Sequence, residues 1–176
     1  MLIDRTRTLR GALAGAVAAG VWAAQQPLDK RVFGSEFDDV ELLGKAFTRR
    51  GAWRAIGLAI HLQNGAAFGA LYANLAPHVP LPSWSRGPLA AVVENFATWP
   101  LTAVTDRMHP ARAELPKLAG SGRALAQATW RHLVFGVVLG ELERRLNSEA
   151  QDEPEPWAHV ISNNGHGNIE HAAALR

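Results

Sequence analysis

The side chains with chemistry to offer gather at a few positions. His61 and His132 are each followed by glycines four and eight residues on, giving His61-Leu62-x-x-Gly65-x-x-x-Gly69 and His132-Leu133-x-x-Gly136-x-x-x-Gly140. Gln63 and Asn64 stand near the first histidine, and Arg131 stands beside the second. Glu94 and Asn95 lie between them in a stretch with no other charge. Imidazole, carboxylate and guanidinium groups in one place can hold or pass protons and take up small ions or solutes. Two histidines in like settings, each with a glycine one turn on, also permit bis-histidyl haem ligation by His61 and His132, the glycines letting a flat macrocycle approach.

Other chemistries have no residues to run on. There is no cysteine, so thiolate catalysis, iron–sulfur clusters, zinc fingers and disulfides are excluded. No phosphate-binding P-loop, G-x-S-x-G or H-E-x-x-H pattern occurs, so no catalytic residue is assigned and no resident cofactor or metal is expected. His159, His166 and His171 lack a ligand-like spacing. A net charge of +2 argues against a nucleic-acid surface.

The elements that must position these groups are unusually poor in charge. Residues 11–28 and 55–85 carry none, residues 87–105 carry only Glu94, and residues 124–140 carry only Arg131. Charges on an ordinary water-facing helix recur every turn or so. Four such segments match the ~20 residues needed to cross a bilayer. The mean hydropathy of −0.05 averages these segments with strongly charged connections. The pattern therefore predicts an all-α, four-helix transmembrane bundle with helices near 11–27, 53–75, 87–105 and 123–147. It also predicts a multi-pass place in the cytoplasmic membrane with the lipid bilayer as partner. A helical bundle outside the membrane, with helices buried on all sides, is the alternative. Arg131 weighs towards it, because an arginine at mid-bilayer costs about 2.5–3.5 kcal/mol.

Pro27 is expected to end the first helix, and Pro100 to kink the third. Asp38–Arg50, with Val40, Leu43, Ala46 and Phe47 on one side, reads as a short interfacial helix. Residues 1–147 form one domain, and residues 148–176 read as a disordered polar tail. The two His-Gly stretches, with Arg10-Gly11-x-Leu13-Ala14 and Arg86-Gly87-x-Leu89-Ala90, suggest duplication of a two-helix unit. Gly57, Gly65, Gly69, Gly136 and Gly140 recur at four-residue multiples and are expected to pack helices, within the chain or against a second copy or partner. His61, Asn64, Glu94, Asn95, Arg131 and His132 are expected to share one polar midplane cluster, with Glu94 paired to Arg131.

The run His61…Gly65…Phe68…Tyr72, then Gly87, Trp99-Pro100-Leu101, His132-Leu133-Val134-Phe135 and Arg144-Arg145-Leu146-Asn147 resembles the YagU-like inner-membrane proteins across about residues 55–147. The resemblance implies a small polytopic protein of the bacterial inner membrane and no particular reaction. The chain departs from that pattern at Glu94-Asn95, where a histidine is expected. Three kinds of function follow: proton, ion or small-solute handling through the polar cluster; a structural or assembly subunit of a membrane complex; and a haem-binding membrane protein.

Overall fold

The computed structural model describes residues 4–148, and the tail expected to be disordered lies outside them, as do His159, His166 and His171. Helix α1 spans Arg5–Phe33. Asp4 opens it by accepting the Arg7 backbone N–H at 3.1 Å, and Gly34 closes it in the left-handed region at φ 59°. The helix runs through Pro27 instead of ending there. The turns beyond the proline are held because Asp29 is anchored in the core. Helix α2 spans Asp39–Lys45, capped by Asp38 on the Glu41 N–H. It is shorter than expected and packs on α3.

Helix α3 spans Trp53–Leu75, and α4 spans Ser83–Thr98. The expected break at Pro100 is real: α4 gives way to a 3-10 turn at Trp99–Leu101 before α5, Thr102–Met108. Helix α6 spans Gly122–Ser148 and begins with Ser121 accepting the Ala124 N–H. The loop before α6 is tied back by Asp106, whose carboxylate accepts the Leu118 and Ala119 N–H groups at 3.1 and 2.9 Å.

The long helices run up-down-up-down, with α1 and α6 in the middle. Helix α3 packs along α1, and α4 packs along α6. Glycine makes both outer contacts possible. A Cβ on Gly65 would stand 2.6 Å from the Gly15 carbonyl oxygen, and one on Gly136 would stand 2.6 Å from that of Gly87. Gly57 meets α2 through Val40 and Gly44, and Gly69 and Gly140 complete the two long interfaces. The predicted packing glycines are thus used in helix contacts inside the chain. The two outer pairs, α1 with α3 and α4 with α6, close at the positions matched in sequence: Gly11 with Gly87, Gly65 with Gly136, and Gly69 with Gly140.

The all-α bundle stands, but its transmembrane nature does not. Among the described residues no helix is long and apolar enough to cross a membrane. The multi-pass inner-membrane reading is therefore overturned, and the expectation of a bilayer partner loses its basis. Freedom from charge is a different property from being apolar. The run 55–85 holds His61, Gln63, Asn64 and Asn74 among many alanines and glycines, which offer little apolar area.

Candidate functional site

Arg131 is the largest fully buried side chain among the described residues, at 0% exposure. Its Nε and one Nη2 bond donate to the two oxygens of Asp29 at 2.7 and 2.6 Å. Nη2 also donates to the Phe37 carbonyl at 3.0 Å, and Nη1 donates to Asp39 Oδ2 at 2.7 Å. Gln127 Nε2 donates to Asp29 Oδ1 at 2.7 Å, and Trp22 Nε1 donates to Asp39 Oδ2 at 3.0 Å. Burial works against the charge on Arg131, but the bonds to Asp29 and Asp39 outweigh it and hold the guanidinium protonated.

The expected Glu94–Arg131 pair does not form, and helix geometry gives the reason. Neighbouring residues on a helix point about 100° apart. Arg131 faces α1, while His132 faces α4 and takes Glu94 for itself: Nε2 to Oε2 is 2.8 Å. His132 Nδ1 lies 2.7 Å from the Ala128 carbonyl oxygen. That oxygen only accepts, so Nδ1 carries a proton.

A cavity of about 300 Å³ lies where α3 and α4 stand apart, with α1 and α6 as its floor. His61, Asn64, Glu94, Asn95 and His132 all line it. Five of the six residues expected to cluster are thus brought together, and Arg131 is set behind them. Asn95 is 2% exposed and donates to Thr129 Oγ1 at 3.1 Å. Asp39 also lines the cavity and links it to the Arg131 network.

Most of the wall is apolar. Trp22 meets His61, His132 and Phe135 edge-on at ring centroid distances of 5.2, 4.6 and 6.1 Å. Phe37, Phe68 and Trp99 complete the aromatic lining. His61 is 7% exposed, and its Nε2 has no hydrogen-bond partner among the described residues. Burial pushes the His61 imidazole below its ordinary value, so it is neutral near pH 7. An unpaired buried nitrogen of this kind costs about 1–3 kcal/mol.

Trp22, Asp29, Asp39 and Gln127 were not foreseen as site residues. Asp29 had a signal: it continues the buried stripe Gly11, Gly15, Ala18, Trp22 at helical spacing beyond Pro27. Haem does not suit the two histidines. Both nitrogens of His132 are engaged, and Trp22 stands against both rings. No group of three or more metal-binding side chains occurs among the described residues.

At the other end of the bundle a second hollow is lined by Arg7, Tyr72, Arg86 and Glu143. Here Arg7 donates to Glu143 at 2.6 Å and to the Ala73 carbonyl at 2.6 Å. Burial, then Glu143, pushes the Tyr72 phenol up to about 12. No family model, curated protein or solved structure matches the chain. The likeness to YagU-like proteins rests on the residues quoted for it.

Proposed function

We propose that this chain is a helical binding protein that takes a small, largely apolar molecule into the cavity between α3 and α4. The observation that supports this most directly is His61. His61 lines a mostly apolar cavity of about 300 Å³, at the small end of the range for small-molecule sites, and its buried Nε2 has no hydrogen-bond partner among the described residues. Buried polar atoms are nearly always satisfied by protein, water or ligand. Asn64, at the exposed mouth, tests the reading. A fragment screen by ligand-observed NMR should find small aromatic binders that Asn64→Trp excludes while the variant keeps the wild-type melting temperature. If no fragment binds in a manner sensitive to Asn64→Trp, the reading fails.

A second reading, an assembly component, has its own support. Leu9, Leu13, Val17, Val21, Leu28 and Val32 form an exposed apolar stripe along the outer side of α1, from 39% to 71% exposed. Contiguous apolar surface of this kind marks an interaction face. Leu13→Glu and Val17→Glu should then convert a defined assembly to monomer in light scattering. A chain that is already monomeric at all concentrations removes this reading.

A further inference from the structure

We propose that the cavity selects a ligand bearing a cationic ammonium head on an apolar body, held by Asp39 and Glu94. The inference rests on the cavity being the binding site. The first observation is which oxygens the protein leaves free. Both donors to Asp39, Trp22 Nε1 and Arg131 Nη1, use Oδ2, and none among the described residues reaches Oδ1. His132 uses Glu94 Oε2, and none reaches Oε1. Neither free oxygen is sealed within the core. A carboxylate oxygen accepts hydrogen bonds only, so the matching ligand group is a donor.

The second observation is charge. Arg131 balances one of its two aspartates, which leaves one negative charge in excess where Asp39 meets the cavity. The Glu94–His132 pair adds no positive excess, and His61 is kept neutral by burial. Lys30, the next cation, is engaged by Asp38 at 2.7 Å, and burial and that bond act on Asp38 in opposite senses with its carboxyl held below the ordinary value. Opposite charge in a partly desolvated pocket is attractive. The third observation is the wall. Trp22, Phe68, Trp99 and Phe135 present aromatic surface beside those carboxylates. Aromatic faces attract ammonium groups and accept the apolar body of the same molecule. An anionic ligand would meet Asp39 and Glu94 without a free cation to offset them.

Three probes of like size separate the terms: 2-phenylethylammonium, 2-phenylethanol and 3-phenylpropionate. Their affinities for the full chain are measured by NMR titration, with the His61 and His132 imidazole signals as reporters. The ammonium should bind about tenfold tighter than the alcohol, and the carboxylate weakest. Glu94→Gln and Asp39→Asn should each weaken the ammonium about fivefold and leave the alcohol unchanged. Glu94 is half-exposed, so Glu94→Gln keeps the test valid if Asp39→Asn disturbs folding. Equal binding of alcohol and ammonium, or tighter binding of the carboxylate, overturns the cationic preference and leaves the cavity reading intact. If no probe shifts the two histidines, both fall together.

Discussion

Removing the Arg131 guanidinium should be among the most damaging single changes in the bundle. The side chain is fully buried and makes four hydrogen bonds between 2.6 and 3.0 Å. In Arg131→Met the apolar stem is largely kept, but Asp29, 2% exposed, retains only the Gln127 donor. Breaking a buried ion pair from one side costs about 3–5 kcal/mol, a large share of the ~5–15 kcal/mol that stabilises a typical domain. Asp29→Leu should cost a similar amount, since it leaves Arg131 with Asp39 and the Phe37 carbonyl alone. Most of each loss comes from the charge left behind and little from net attraction, because desolvation of the intact pair offsets its Coulomb energy. The double variant Asp29→Leu/Arg131→Met should therefore cost at least ~2 kcal/mol less than the sum of the singles. Urea denaturation followed by far-ultraviolet circular dichroism gives all four free energies, with the slopes compared to check that the unfolded states are alike. Additivity to within ~0.5 kcal/mol, or a loss below ~1 kcal/mol for Arg131→Met, would refute the reasoning.

Three further outcomes follow from local structure. Burial lowers the folded-state affinity of His61 for a proton while the unfolded chain titrates near 6.5. Its contribution to stability is present above that pH and is lost as pH falls through and below it. The melting temperature should drop more between about pH 8 and pH 5 in the wild type than in His61→Gln, and parallel curves would disprove the assignment. Gly15→Val should destabilise by about 1–3 kcal/mol or more by forcing α1 off α3, whereas Gly51→Ala, with nothing within 4 Å of the new Cβ, should change stability by less than ~0.5 kcal/mol. Asp106→Ala should cost about 1–2 kcal/mol and speed amide exchange at Leu118 and Ala119, whose N–H groups lose their acceptor.

Much of the architecture was legible in residue patterns, and the membrane-spanning reading of its helices failed for a definable reason. The helix expected at 53–75 is α3, whose C-terminal limit follows from the prolines at 77, 80 and 82 and not from the uncharged run, and the close helix pairs follow from glycines at four-residue multiples. Pro27 misled because a proline removes one backbone bond but does not weigh what the following turn gains. Here that gain is Asp29 on Arg131. The charge-poor runs misled because small residues can hide helices from water as well as lipid can. Ala14, Ala18, Ala73 and Ala91 are all 1% exposed or less, and they let four helices approach closely without long apolar side chains. Glu94 was visible as an isolated charge, but its partner was not. Choosing between the adjacent residues Arg131 and His132 requires knowing which helix stands on which side of α6.

That adjacency also explains how one bundle holds both a rigid core and a polar cavity. Helix α6 turns Arg131 towards α1 and His132 towards α4, so two polar systems start one residue apart and diverge. Trp22 separates them with its ring and joins them through its indole N–H on Asp39. Asp39 is the shared member: it lines the cavity, one of its oxygens belongs to the Arg131 network, and the other accepts no hydrogen bond among the described residues. The network fixes the position of that carboxylate before any ligand arrives, which lowers the ordering cost of binding. The same link makes Asp39 the residue through which a change in the core is felt at the site. Loss of Arg131 would leave Asp39 with Trp22 as its one side-chain donor among the described residues and raise the local negative charge. Loss of Glu94, on the far wall, would leave the Arg131 network untouched.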